Sequence, residues 1–445
     1  MRRRLGLRIA VRVVLVALLV GPLIAGCSGK KKKTRLKGER ISVLAFEQTL
    51  QADPRLATVQ VRLPKPYVNE AWPLGGGYPT HAMHHLALGR DLKEVWRASI
   101  GVGNERSEPL VSPPVVADGR VYTLDAEAMA RAFDAETGRR LWSVKFKRKG
   151  EKKAIAFGGG IAFDDGRVYI TTGYGFAVAL DAASGAEVWR TELGVSLRGT
   201  PTIKDGRVFL NSYDNQLFAL DAGSGKVLWY HVAVSETAGM LGTASAAVFG
   251  DTVVGAFSSG ELVALRVENG RLAWSDTLTR TGRMTPLATI SDIDGDPVID
   301  RGRVYAISHS GRFVAIDLRS GERVWERNIG GIQTPWIAGE FIYLVTTDNE
   351  VVCLSRNSGR VRWVRELQRF ENENKKKNTV FWAGPVLAGD RLIVVSSHGF
   401  ALSISPYTGE ILGAEKIAKK VFISPIVADQ TLYILTNGGR LIAMR

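Results

Sequence analysis

The sequence predicts an all-β fold: an eight-bladed β-propeller of four-stranded antiparallel blades, its ring closed by N- and C-terminal strands sharing the last blade. Three observations carry this. A ten-residue unit recurs along the chain, a second strand-and-turn unit recurs upstream of it, and tryptophans recur at a spacing of about 40–50 residues. The 48 glycines are spread evenly and no long helical periodicity interrupts them, so most of the 445 residues read as one large β unit.

The ten-residue unit reads FDAETGRRLW (133–142), LDAASGAEVW (180–189), LDAGSGKVLW (220–229), LRVENGRLAW (265–274), IDLRSGERVW (316–325) and LSRNSGRVRW (354–363). A seventh copy, ISPYTGEILG (404–413), has Gly413 in place of the tryptophan. Each is a strand end, a glycine-bearing turn and a second strand carrying an indole. A small residue precedes each copy: Ala132, Ala179, Ala219, Ala264, Ala315, Cys353, Ser403 and, in a final half-copy, Ala443.

The upstream unit reads DGRVYTL (118–124), DGRVYIT (165–171), DGRVFLN (205–211), RGRVYAI (301–307) and DQTLYIL (429–435). Asp-Gly pairs provide the positive φ angles of tight hairpin turns. Prolines such as Pro114, Pro201, Pro297 and Pro425 open the strand before it, where a missing N–H costs no ladder bond.

The blade count follows from the tryptophans. Trp96, Trp142, Trp189, Trp229, Trp274, Trp325 and Trp363 occupy one outermost-strand position each, with Gly413 as the eighth. Their role is structural, docking blade to blade with an apolar ring while the indole N–H finds a partner. After Gly413 the chain supplies three more strands, ending LIAMR, and before the first full copy lies one orphan strand, DLKEVWRASI (91–100). That orphan is expected to complete the last blade, which removes an exposed sheet edge.

The N-terminus has a different character. Residues 1–26 carry five arginines and no acid, and the apolar run VVLVALLVGPLIAG (13–26) is short for the roughly 20 residues of a membrane-spanning helix. A charged start, a short apolar middle and small residues at the end fit a secretory signal peptide. The segment LIAG before Cys27 resembles a bacterial lipobox, which implies lipidation of Cys27 and cleavage after Gly26. Ser28 follows where aspartate would signal inner-membrane retention, so outer-membrane sorting is the expectation.

The organisation read from the sequence is therefore a lipoprotein signal peptide at 1–26, a lipid-anchored basic linker and extended segment at 27–89, and the propeller at 90–445. Within the linker, the Pro- and Gly-rich stretch up to residue 80 reads as a tether partly packed on the propeller wall.

Charge supports the tether. The chain carries +15, of which residues 1–26 hold five and residues 30–40 a net six, leaving +4 for residues 41–445. The basicity belongs beside a lipid anchor, where anionic headgroups attract it, and a nucleic-acid partner is not expected. Of the two cysteines, Cys27 is taken by lipid and Cys353 fills a small strand position, so no disulfide is available.

The A-x-D-x-x-(S/T)-G-x-x-x-W pattern resembles the docking repeat of pyrroloquinoline-quinone (PQQ) dehydrogenases and of their non-enzymatic relatives, the BamB-type outer-membrane protein assembly lipoproteins. The resemblance covers roughly residues 90–445. A PQQ dehydrogenase needs a cofactor over the ring axis, a Ca²⁺ site, a catalytic aspartate and typically a disulfide between adjacent cysteines, a pair this chain lacks. The BamB type fits better: lipobox, eight blades without added domains, and one similar long loop.

That loop is ATISDIDGDPVID (288–300), where Asp292 and Asp294 match two family aspartates that help hold the partner, BamA, at its periplasmic POTRA domains. A second contact segment falls in ETAGMLGTAS (236–245), where Met240, Leu241 and Gly242 keep an apolar character but the family's arginine is absent. A look-alike, SLRG (196–199), sits one blade too early.

The resemblance implies a non-catalytic scaffold of the barrel assembly machinery, monomeric within a hetero-complex on the periplasmic face of the outer membrane, needing no cofactor. The rivals are a PQQ-dependent quinoprotein and a generic periplasmic protein-binding propeller. Length variation concentrates in the links between outermost and next innermost strands, at 143–157, 230–244, 275–296 and 364–383, so the partner surface is expected on that face.

Clusters that could hold a metal or carry other chemistry do not change this reading. Asp292, Asp294 and Asp296 lack the glutamate an EF-hand needs at position 12, which is Arg303. HAMHH (81–85) shows no fourth ligand for a transition metal. Lys375–Lys377 reads as a solvated loop tip. No Ser/His/Asp order, phosphate loop or zinc spacing appears, so no catalytic residue and no metal ligand is assigned.

Overall fold

The structure is a computed structural model that describes residues 50–104, 109–147, 158–236, 242–279, 291–417 and 420–445. The signal segment, Cys27 and the basic linker lie outside the described residues, as do Met240 and Leu241. Residues 50–445 form one unit.

Each D-x-x-S/T-G turn builds itself. In blade 2, Asp181 Oδ1 accepts from the Ser184 amide at 2.8 Å and its hydroxyl at 2.6 Å, and Gly185 follows at φ +76°. The hydrogen bonds from Ser184 hold the Asp181 carboxyl below its ordinary range. At the other turns of the same edge, Asp118 and Gly119 take φ +49° and +67°, the paired left-handed conformation of a two-residue hairpin.

The strands between these turns assemble into eight four-stranded antiparallel sheets arranged as a β-propeller. Blades 1 to 7 span 115–145, 161–192, 202–232, 247–277, 298–327, 336–366 and 382–416. Blade 8 takes its three inner strands from 426–444 and its outermost from Glu94–Ser99. Trp96 pairs with Ala443 and Ser99 with Arg440, so the orphan strand closes the ring as expected.

The small residues and tryptophans turn out to be cross-strand partners. Ala132 faces Trp142, Ala179 faces Trp189, Cys353 faces Trp363 and Ser403 faces Gly413, each followed by a register shift. A small side chain there leaves the indole free to lean on the following blade. Each indole N–H then donates to a carbonyl in that blade's turn: Trp96 to Ala135, Trp142 to Ala182, Trp189 to Ala222, Trp229 to Val267, Trp274 to Leu318, Trp325 to Arg356 and Trp363 to Pro406, at 2.8–3.1 Å. The ring also lies flat on the turn glycine; a Cβ on Gly359 would stand 2.6 Å from the Trp325 indole.

The N-terminal segment departs from the wall-packed tether read from sequence. From residue 69 to 86 it runs around the inside of the ring. The Asp429 amide donates to Asn69 O, Trp72 and Val116 exchange a pair of backbone bonds, and Phe163 N donates to Pro73 O. Val248 then donates to Pro79 O, Ile299 to Thr80 O, and Gly389 to Leu86 O. The reason is hydrogen bonding. Innermost strands of mostly three residues present backbone groups to the channel, and an extended Pro- and Gly-rich chain bonds to them in blades 8, 1, 2, 4, 5 and 7.

Between blades 6 and 7 the link 367–381 carries an exposed two-stranded hairpin, Phe370–Asn372 with Lys377–Thr379. Lys375 and Lys376 lie in its exposed turn. Cys353 is fully buried in the core, and burial pushes its thiol pKa up.

Candidate functional site: the axial funnel on the crossing-link face

The N-terminal segment lies across the channel, and between it and the crossing links the ring axis holds a funnel of about 350 Å³. Trp72 and Trp336, stacked at 6.3 Å, form its floor with Gly75, Gly76 and His81. Its walls are the successive links between blades, among them Arg198–Thr200, Gly242–Ser245, Asp294 and Gln333.

These links interlock around the predicted loop. Asp292 is buried, and its backbone carbonyl accepts from the His309 amide at 2.9 Å. Ile293 fills the core between blades 4 and 5 and donates its amide to Phe257 O. Asp296 Oδ1 accepts from the Ser245 amide at 2.6 Å, and its own amide donates to Thr334 Oγ1 at 3.1 Å. Gly295 lies against the backbone of Gln333, with room for no side chain.

Asp294 is the exception in this network. Its Oδ1 is buried with no hydrogen-bond partner among the described residues. Burial above all, then the charges of Asp292 and Asp296, push its pKa up to about 7. A carboxyl with its pKa raised in this way on the wall of a cavity is a functional-site candidate.

The structure brings two of the sequence-derived segments together. A Cβ on Gly242 would stand 2.8 Å from Asp294 Oδ1, so the link after blade 3 lies directly on the link after blade 4. Met240 and Leu241 precede this contact outside the described residues.

Arg198 was set aside by blade counting, yet it lines the same funnel as Asp294 and Gly242. Its guanidinium stacks over the Tyr213 ring at 3.7 Å, and burial lowers its pKa. Crossing links converge on the axis, so a residue one blade away in sequence ends beside the same opening. The signal was the SLRG look-alike itself.

The histidines of HAMHH disperse to separate partners. His81 Nδ1 meets Pro297 O at 2.8 Å, and His85 Nδ1 meets Pro64 O at 2.7 Å. His85 Nε2 accepts from the Asp390 amide at 3.1 Å. His84 lies 3.6 Å from Asp300, and burial lowers its pKa against the pull of that carboxylate. Among the described residues no three His, Cys, Asp or Glu side chains form a metal-binding group.

The sequence profile of a family described as "Outer membrane protein assembly factor BamB" matches residues 89–155 and 126–365. The BamB protein of Alkalilimnicola ehrlichii is 36% identical over 372 residues, covering 83% of this chain and 93% of its own. Among solved structures, BamB from Moraxella catarrhalis superposes with a TM-score of 0.64 at 19% identity, covering 80% of this chain and 98% of that one. The quinohemoprotein alcohol dehydrogenase of Comamonas testosteroni superposes equally well, with a TM-score of 0.65 at 14% identity over 84% and 80% of the two chains. At those identities the superpositions speak to the fold alone.

Proposed function

Because this chain belongs to the outer membrane protein assembly factor BamB family, we propose that it is a non-catalytic scaffold of the outer-membrane barrel assembly complex. In this reading its crossing-link face docks the periplasmic POTRA domains of the complex's central barrel subunit. The observation that carries the site is Asp294: a buried, partnerless carboxylate oxygen beside Gly242, on the face where the interblade links vary. Asp294 supplies charge for a basic side chain of the partner. Asp292 holds the loop from beneath, and Met240, Leu241 and Gly242 supply an apolar contact. The mechanism is binding: a rigid ring presents preformed loops, which lowers the entropy lost on association.

The rest of the proposal concerns tethering. Cleavage after Gly26 and lipidation of Cys27 would anchor the protein to the periplasmic face of the outer membrane, with residues 27–89 linking anchor to ring. Among the described residues no helix is long and apolar enough to cross a membrane. Several acyl chains together hold a protein stably where one would not. Cys27→Ser is expected to release the protein from the membrane fraction.

The deciding experiment is co-purification of the tethered protein with the central barrel subunit. The complex is expected to form, and Asp292→Ala with Asp294→Ala to abolish it while circular dichroism stays unchanged. Retention of the partner by that double variant overturns the site. Dye-linked alcohol oxidation on adding PQQ and Ca²⁺ would overturn the scaffold reading itself.

A further inference from the structure

Seven of the eight joints of the ring are sealed by an indole on the next blade's turn. The joint between blades 7 and 8 is built differently on both sides. Gly413 stands in the tryptophan's position, and no described residue lies within 4 Å of where its Cβ would be. Blade 8 offers no tight turn to receive a ring, because its third and outermost strands, Arg440–Met444 and Glu94–Ser99, come from opposite ends of the sequence.

What remains is a cavity of about 220 Å³, walled by Ile393, Ala401 and Ser403 of blade 7, Leu432 and Met444 of blade 8, and Arg391. It is smaller than the usual site for a drug-sized ligand and is scaled to one ring system. The strands beside it are bare. Ile411–Lys416 is exposed at every position, with Ile411 and Leu412 at 49% and 59%, and the adjoining third strand, Phe400–Ile404, is only half-buried along most of its length.

The electrostatics show a second vacancy. Arg391 opens the second strand of its blade, as Arg167 does in blade 2 and Arg303 in blade 5. Those two donate into the next blade's turn: Arg167 to Ala222 O at 3.0 Å and Gly223 O at 3.1 Å, Arg303 to Arg356 O at 3.4 Å and Asn357 Oδ1 at 3.3 Å.

Arg391 meets no turn of the next blade. It is 7% exposed and donates to Gly89 O at 2.6 Å and Gly389 O at 3.4 Å. Among the described residues no carboxylate makes an ion pair with it: Asp91 acts on it only from a distance, and Glu415, also on the cavity wall, is exposed. Arg90 beside it adds like charge. A buried guanidinium without a counter-ion is costly, and an anion placed against it recovers part of that cost.

We propose that the joint between blades 7 and 8 is a binding site for a planar aromatic ring carrying a carboxylate, the ring taking the indole's place among Ile393, Ala401 and Leu432 and the carboxylate meeting Arg391. Two sources share this chemistry: a free indolyl- or aryl-alkanoic acid, and a polypeptide whose C-terminal residue is aromatic. The bare apolar strand running on from the cavity mouth gives a chain terminus additional contact that a free acid would not use.

The test uses the full chain with ¹³C-methyl methionine, because Met444 lines the cavity and only six methionines are present. Indole-3-propionate is expected to shift the Met444 methyl resonance saturably while those of Met83 and Met129 stay in place, with 3-methylindole binding at least tenfold more weakly. Arg391→Gln is expected to erase that tenfold preference, and Gly413→Trp to abolish the shift by filling the slot from within.

A short peptide ending in phenylalanine distinguishes the sources. Tighter binding than indole-3-propionate, lost on C-terminal amidation, supports a chain terminus; binding of the free acid alone supports the small molecule. No Met444 response to either probe at millimolar concentration overturns the proposal. So does equal binding of 3-methylindole, or a Gly413→Trp protein that folds and still binds. The Arg391→Gln comparison stands even if Gly413→Trp fails to fold.

Discussion

Replacing Asp294 by asparagine tests whether the proposed docking face stores an electrostatic cost. The carboxyl is pushed from its ordinary 3.8 up to about 7, chiefly by burial and then by the charges of Asp292 and Asp296. The folded chain therefore holds this proton more tightly than the unfolded chain does. The contribution favours folding fully below about pH 4 and is lost as the pH rises through about 7. By linkage the ionised form then costs the native state about 4 kcal/mol at most, and relaxation around the loop brings the expected value to about 2 kcal/mol.

Asparagine has the same shape and no charge. At pH 8 Asp294→Asn is expected to be the more stable protein by that amount, and at pH 4 the two are expected to be nearly equal. Urea midpoints measured for both proteins at intervals between pH 4 and 8 give the difference directly. The same substitution is expected to weaken capture of the partner at pH 8, since a site that carries a cost when empty is worth keeping only if binding uses it. A stability difference that does not change with pH, or an asparagine protein less stable at pH 8, refutes the reasoning.

Three further outcomes follow from the packing. Trp325→Ala is expected to cost about 3–5 kcal/mol through the lost ring, and Gly359→Ala about 2 kcal/mol through the positive φ and the clash with that same ring. Their effects in a double variant should fall well short of additive in denaturant titrations, because both act on one contact. Asp221→Ala is expected to lower the urea midpoint at pH 7, because hydrogen bonds from Ser224 hold that carboxyl below its ordinary 3.8. That difference should fade as the pH drops through the depressed pKa, where the natural turn loses the same stabilisation. Trp72→Ala removes the floor of the funnel and is expected to lower the thermal midpoint while blade content by circular dichroism stays the same.

The neighbourhood of the candidate loops was legible because loops and blades keep a strict order along the chain. Asp292, Asp294 and Gly242 were picked out by the family resemblance and fall on adjacent links in blade order, and Gly242 does lie against Asp294. Arg198 was missed for the same reason. Counting assigns it to the preceding link, whereas the links converge on one axis and place it on the wall of the same funnel. The burial of Asp292 and the isolation of Asp294 Oδ1 were equally out of reach, since a one-residue spacing does not say which carboxylate turns inward.

By itself the sequence determined the repeat, the eight blades and the closure of the ring. Each rests on short-range chemistry: turn residues that bond to their own neighbours, strands that alternate, and an indole whose partner is the next copy of the same motif. Only the tertiary structure decided the path of residues 69–86, the funnel they leave open and the unsealed joint at Gly413. Those depend on partners far apart in sequence, such as Asn69 with Val427 and Trp336 with His84. A segment that follows the circumference of a ring meets a new blade every few residues and shows no period of its own. A glycine in place of tryptophan acquires its meaning only when the neighbouring blade is seen to lack a turn.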